Sequence, residues 1–339
     1  MDKKALSFLV VGVLLGTLLA TAGFAWFVRD GRLNTTHSTT RVLKLAHSLD
    51  QSHPVHKGMV FMAERLAELS AGTMRIEIFP NEQLGNETEA IEQVQRGALA
   101  MTKTSTAPLE SFLPEMAIFS VPYIFRDADH FWKVLEGSIG TELLLVGEAR
   151  GVRGLCYYDA GSRNFYTIKR PVRSPNDLRG QKIRVMKSKT SMDMVQALGA
   201  APTPIPFGEL YTALQQGMVD GAENNLPSFT SMRHYEVCKH FSLDEHTLIP
   251  DILLISEKVW TRLSPQEQAW LQQAADESSQ YQRGLWAVEN EAAREEAIKQ
   301  GVTIYEPDRQ PFIDKVQAMH RSFEGTVVGE MLARIKEVR

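Results

Sequence analysis

The 339-residue chain is 43% hydrophobic and 23% charged with a formal net charge of −4, so it is long enough for two lobes and ordinary for a soluble globular protein. Its slight acidity and the lack of any Lys/Arg-rich run exclude wholesale nucleic-acid binding, which needs a basic stripe. Its two cysteines, Cys156 and Cys238, lie far apart and set up no disulfide framework; two buried thiols are expected, with a single bridge open to an exported protein.

Lys3 and Lys4 precede an uncharged apolar run from Ala5 to Val28, closed by Arg29-Asp30. A basic start, an apolar core and small residues such as Ala20-Thr21-Ala22 read as an export signal. The run is also long enough to span a bilayer as a retained anchor, and with the lysines inside the remainder would lie outside. Residues 1–28 are thus a signal peptide or N-terminal membrane anchor, and 29–40 a polar tether. Either way the folded part is expected to be periplasmic. No cysteine follows the run to carry a lipid.

Arg41 to Ala46 alternates and predicts a first strand. Ser52-His53-Pro54 opens a helix, with Ser52 as a fair cap, and Met59, Met62, Ala63, Leu66 and Leu69 fall at helical spacing. Met74, Ile76 and Ile78 alternate with Arg75 and Glu77 in a second strand. A helix from Glu87 to Arg96 follows, stopped by Gly97, then a short buried strand from Ala98 to Thr102. This strand–helix alternation signals a mostly parallel sheet flanked by helices. Asp127 and Asp129 cap a helix around His130 to Glu136, and Val152 to Tyr158 is a strand. A helix spans Thr190 to Leu198. Pro202-Thr203-Pro204-Ile205-Pro206 cannot be helix. A further helix fits Phe207 to Gln216, and Ile252 to Ser256 looks like a crossing strand. Ser264-Pro265-Gln266-Glu267 is a strong helix start, with no breaker until Gly301 apart from Gly284. A run of about 36 residues at 1.5 Å each would reach about 54 Å, more than one small lobe, so this helix should lie across both.

The stretch from Ala160 to Leu226 organises the chemistry. It holds Ala160-Gly161-Ser162-Arg163-Asn164, Asp177-Leu178-Arg179-Gly180 with Ile183-Arg184-Val185, and Val219-Asp220-Gly221-Ala222-Glu223-Asn224-Asn225. Each strand-like piece ends in a strong polar side chain, as in an α/β lobe whose strand ends converge on a crevice. Two of these side chains are arginines, and a planar guanidinium matches a carboxylate with two parallel hydrogen bonds. A small anionic ligand is expected.

These segments, together with Gln83-Leu84-Gly85, Val121-Pro122-Tyr123, Gly199-Ala200-Ala201-Pro202-Thr203-Pro204 and Leu210-Tyr211-Thr212-Ala213-Leu214-Gln215, resemble the solute-receptor subunits of TRAP (tripartite ATP-independent periplasmic) transporters, in their dicarboxylate-receptor-like group. The resemblance covers about residues 41 to 325. It implies an α/β, two-lobed periplasmic binding protein fold with a hinge and a long helix across both lobes. The sequence divides accordingly into 41–162 plus about 248–285 for the first lobe, and 163–247 plus about 286–330 for the second. It implies no catalysis and no cofactor, and as partners a small anionic solute and the two TRAP membrane subunits. It also implies site residues: Arg184 pairs bidentately with the ligand carboxylate, Arg163 is a second contact, Asn224 reaches the carboxylate and Phe207 packs on the ligand. Gly161 to Thr167, Glu223-Asn224-Asn225 and His234-Tyr235-Glu236-Val237 look most like receptors for uronic acids such as glucuronate and galacturonate. Ser105 and Pro108 stand where the sialic-acid branch has sugar contacts. Lys187, uncharged in many relatives, would add a cation if it faced the ligand.

On the first lobe, His47 and Ser48 end one strand and Lys103 and Thr104 another, so all four are candidate contacts. Glu223 either accepts ligand hydroxyls or pairs with an arginine, and Arg163 has Asp159 as an alternative structural partner. His53 and His56 are three apart but lack a carboxylate or thiolate partner, so no metal site is expected. No nucleophile elbow, Walker loop, dinucleotide fingerprint or zinc-protease motif is present. Three rivals remain: a C4-dicarboxylate or other organic-acid binder of the same family; an exported lyase or isomerase acting on acidic sugars, with Tyr166, Tyr211 or His47 supplying acid–base chemistry; and an anchored receptor that presents its ligand to a sensor.

Overall fold

A computed structural model describes residues 2–34 and 40–339 and resolves the chain into two compact units, Met1–Arg41 and Val42–Arg339. The first unit is one helix, Lys3–Asn34, so 29–34, expected as tether, are helical. Residues 35–39 of that tether lie outside the described residues. Leu18, Leu19, Phe24 and Trp26 on this helix are exposed. Among the described residues no helix is long and apolar enough to cross a membrane.

The second unit holds strands β1 (Arg41–Ala46), β2 (Met74–Phe79), β3 (Met101–Ser105), β4 (Val152–Tyr158), β5 (Ser162–Thr167), β6 (Lys182–Val185), β7 (Ala201–Pro204), β8 (Gly221–Asn224), β9 (His240–Leu248), β10 (Asp251–Ser256) and β11 (Thr303–Tyr305). They form two sheets, ordered β2-β1-β3-β10-β4 and β11-β9-β5-β8-β6-β7. Each sheet anchors one lobe. The chain passes between them from β4 to β5 through Asp159–Gly161 and from β9 to β10 through Ile249-Pro250. Both sheets are mixed: β1 runs parallel to β3, while β10 is antiparallel to β3 and β4. In the second sheet β6 is parallel to β7 and β8, and β5 antiparallel to β8 and β9.

Local chemistry explains most element boundaries. The first long helix, Pro54–Leu69, is capped by His53, whose Nδ1 accepts from Val55 N–H at 3.2 Å. Ser52, expected as the cap, instead bonds Asp50. The third strand begins at Met101 rather than Ala98, because Ala98 and Leu99 N–H groups still cap the carbonyl of Gln93 in the turn at Gly97. The proline-rich Ala201–Pro204 segment is a strand at the sheet edge, where a missing N–H leaves no ladder bond broken.

Helix Pro265–Lys299 is 35 residues long and starts with the capping box Ser264/Glu267; it packs on helix Pro54–Leu69 and β4 of the first lobe and on helix Leu226–Ser231 of the second. Gln282 on its inner face accepts from Asp159 N–H at 2.8 Å and donates to the Asp159 carbonyl at 2.9 Å. Gly161, at φ +57°, lies so close to Trp286 of the same helix that a Cβ would approach the indole to 2.9 Å. The crossing backbone is therefore tied to the long helix at two successive turns. The last helix, Val327–Glu337, returns to the first lobe and buries Val328, Met331, Leu332 and Ile335 among its residues. A second lobe continuous from 286 to 330 thus misplaces the start of this helix. Cys156 and Cys238 are free and buried.

Candidate functional site

Arg184 sits in the middle of β6, paired with Thr203 on β7 and Ala222 on β8. Its neighbours Ile183 and Val185 point into the core, which sends Arg184 to the opposite face of the strand. That face borders a small cavity between the lobes, lined by Ser48, Leu49, Glu87, Lys103, Ser105, Ala160, Arg163, Arg184, Met186, Phe207, Asn224, Asn225, Ser228 and Asp251. Arg184 is only 1% exposed. Its Nε donates to the Ile205 carbonyl at 2.9 Å, and its guanidinium carbon lies 5.7 Å from the Phe207 ring centroid. Nη1 is buried with no hydrogen-bond partner, and among the described residues no carboxylate pairs with this guanidinium. Burial pulls its pKa below the usual arginine value, although a guanidinium stays charged in proteins. A buried, unpaired cation is costly, and an incoming carboxylate would relieve it.

Arg163, on β5, is also buried but fully engaged. Its Nε and Nη2 grip both Glu223 carboxylate oxygens, the latter at 2.9 Å, Nη2 also reaches the Glu223 carbonyl at 2.8 Å, and Nη1 donates to Asn224 Oδ1 at 2.9 Å. Its structural partner is Glu223 rather than Asp159. Burial pushes the Glu223 carboxyl up, but Arg163 and His246 outweigh it and hold it down at about 2. His246 Nε2 lies 3.5 Å from Glu223, and its Nδ1 lies 2.7 Å from Asp244. Burial alone would lower the His246 imidazole, yet Asp244 and Glu223 raise it to about 9. An alternating chain of charges, Arg163–Glu223–His246–Asp244, therefore supports the cavity from beneath. Glu223 does not line the cavity and pairs with Arg163.

The structure brings six of the nine expected residues together around the cavity: Arg184, Arg163, Asn224, Phe207, Lys103 and Ser48. His47 and Thr104 join Glu223 outside it. Both His47 ring nitrogens are used, Nδ1 accepting from Leu49 N–H at 3.1 Å and Nε2 meeting His56 Nδ1 at 2.9 Å. Burial, and then nearby Lys103, depress the His47 pKa to about 2, so the ring is neutral and structural. Thr104 does not line the cavity; its hydroxyl bonds Glu87 and the Ser105 carbonyl. Lys103, 2% exposed, donates to Asp251 at 3.0 Å and lies 4.0 Å from Glu87. His53, besides capping its helix, meets Ser228 of the second lobe at 3.2 Å. Lys187 is exposed and borders the outer groove that adjoins the cavity. Glu87, Ser228 and Asp251 line the cavity without having been singled out, and Ser105 and Asn225, named only within the family's motifs, line it too. Asp251 comes opposite Ser105 only through the β3–β10 register, which no local pattern announces.

The mouth of the cleft is clasped. Glu110 of the first lobe accepts from the Ser188 hydroxyl at 2.5 Å, from Thr190 Oγ1 at 2.9 Å and from Thr190 N–H at 3.3 Å. These groups form the N-terminus of helix Lys189–Leu198, whose first-turn amides favour a carboxylate. Glu82 of the first lobe likewise accepts from Gly208 N–H at 3.1 Å. Two carboxylates of the first lobe thus bridge to hydroxyl and backbone donors of the second.

Residues 45–326 match the family described as bacterial extracellular solute-binding protein, family 7. The chain belongs to this family. Its members bind solutes outside the cytoplasm, and the two-lobed fold and inter-lobe cavity follow that plan. Two solved TRAP periplasmic solute binding proteins are similar throughout the lobes. One, from Xanthobacter autotrophicus with bound β-D-galacturonate, is 38% identical with a TM-score of 0.85, covering 88% of this chain and 100% of the other. Another, from a Bradyrhizobium species in complex with α/β-D-galacturonate, is 40% identical with a TM-score of 0.85 and the same coverage. The C4-dicarboxylate-binding periplasmic protein of Rhodobacter capsulatus is 30% identical, covering 87% of this chain and 90% of that relative.

Proposed function

We propose that this family 7 protein captures a sugar acid, a uronate such as galacturonate or glucuronate or a related polyhydroxy carboxylate, and hands it to the membrane subunits of a TRAP-type transporter. One observation carries the reading: Arg184 presents a buried, unpartnered Nη1 to a cavity that also holds Arg163, Asn224 and Phe207. The ligand carboxylate accepts from Arg184 and from the amide nitrogen of Asn224, and Phe207 covers the apolar face of the ring. Polar groups of both lobes meet the hydroxyls, so only a solute that spans the gap holds the lobes shut. Closure dries the site and strengthens the ion pair. The Glu110 and Glu82 bridges hold the closed form, and release awaits the transporter. Residues 1–28 serve as the export signal or as a retained anchor to the inner membrane.

The galacturonate-bound relatives support a uronate over a C4-dicarboxylate, although the Rhodobacter relative keeps the second class open to test. The experiment is a thermal-shift panel of uronates, aldonates and C4-dicarboxylates, since a ligand that binds only the folded state raises the melting temperature with concentration. Uronates or aldonates should raise it and remain chemically unchanged after hours with the protein. No shift from any organic acid, or appearance of a product, would overturn the reading.

A further inference from the structure

We infer that the cleft selects a solute with one anionic end and one hydroxyl-bearing end, and rejects a molecule of the same length carrying carboxylates at both ends. The inference rests on the sugar-acid reading above and adds to it which chemistry the far end must have.

The two walls of the cavity differ in charge. The second-lobe wall offers donors. Arg184 Nη1 has no partner, and the Asn224 oxygen is already taken by Arg163 and by Asn225 N–H at 2.9 Å, which leaves its –NH2 group for a ligand. The first-lobe wall adds two carboxylates, Glu87 and Asp251, beside the Lys103 ammonium and the hydroxyls of Ser48 and Ser105. Glu87 Oε1 is fixed by Ser105 N–H at 2.9 Å and Thr104 Oγ1 at 3.3 Å, so the carboxylate cannot swing away without uncapping Ser105. Asp251 is held by Lys103, the wall's single cation. Two carboxylates against one ammonium leave this wall with one negative charge in excess.

A hydroxyl both donates and accepts, whereas a carboxylate only accepts. Hydroxyls therefore satisfy Glu87 and Asp251, while a second carboxylate would add to a wall whose two carboxylates already outnumber its one ammonium, in a desolvated space. Lys187, the cation that would offset such a charge, is exposed at the outer groove and does not line the cavity. The arginine end thus admits any carboxylate, and the Glu87–Asp251 end decides which carboxylates remain.

The test is calorimetric titration of the folded protein with galacturonate, with galactonate and with galactarate, the open-chain acid oxidised at both ends, and with succinate. Galactarate and succinate should bind at least about tenfold more weakly than the better of the two monoacids, the factor expected when like charges are brought together. Glu87→Gln and Asp251→Asn should each narrow that ratio, weakening the monoacid while sparing or improving the diacid. Galactarate or succinate within tenfold of the best monoacid in the wild-type protein would overturn the inference while leaving the sugar-acid or organic-acid receptor in place. Variants that weaken every acid by one common factor would overturn it too. If no acid binds at all, the reading beneath it falls as well.

Discussion

Replacing Arg184 by glutamine separates the ligand's need for this residue from the fold's. In the wild-type protein the guanidinium is 1% exposed, makes one hydrogen bond to the Ile205 carbonyl and has no carboxylate partner among the described residues. Removing a buried charge that lacks a counter-ion costs the empty protein little and relieves a desolvation burden. With solute bound the same residue forms a buried ion pair, and deleting one partner of such a pair costs about 3–5 kcal/mol, or roughly 150- to 5,000-fold in Kd. A solute at 1,000 times its wild-type Kd stabilises the protein by about 4 kcal/mol, and in the variant the same concentration leaves about 1 kcal/mol or less. Differential scanning fluorimetry reads both effects: an unliganded Tm unchanged or higher for Arg184→Gln, and loss of the uronate-induced shift. A variant that keeps the full shift, or one that is unfolded without solute, would refute the reasoning.

Other substitutions have different signatures. Glu223→Gln strips the buried Arg163 of its counter-ion, so it should lower unliganded stability by about 3–5 kcal/mol in chemical denaturation, unlike Arg184→Gln. His246 is raised to about 9 from an ordinary 6.5, so its contribution is fully present below pH 6.5 and is lost as pH rises through 9. Unfolding free energy should therefore fall across that window, and His246→Gln should flatten it. His47 runs the opposite way: with its folded pKa depressed to about 2, its contribution is present above pH 6.5 and is lost as pH falls from 6.5 towards 2. Glu110→Gln weakens the clasp to Ser188 and Thr190 without touching the cavity, so stopped-flow should show faster solute dissociation, by about 3- to 30-fold, with the preference among acids unchanged.

Much of the scaffold was legible because local physics fixes it. The alternation of Met74, Ile76 and Ile78, the capping box at Ser264 and the glycine stop at Gly97 each specify an element without help from distant residues. Legibility ended where tertiary partners decide. His53 displaced Ser52 as a cap because Asp50 captured the serine. β7 became an edge strand, where its prolines had only excluded a helix. The terminal helix returned to the first lobe because its apolar stripe matches that lobe's outer face. For the site, Arg184 and its motif stood out. Glu223 and His47 read as ligand contacts because a polar residue at a strand end carries the same local signature whether it faces a solute or a buried partner. Glu87 and Asp251 went unremarked because only the closed fold brings them near Arg184.

The central claim is an ion pair between Arg184 and the carboxylate of the solute, and a cycle that alters both partners tests it most directly. Calorimetry would compare glucuronate with glucuronamide, its neutral isostere, on wild-type protein and on Arg184→Gln. The account predicts that losing the charge on the sugar costs the wild-type protein about 2 kcal/mol or more and costs the variant almost nothing. An equal cost in both proteins would mean that some other group reads the carboxylate.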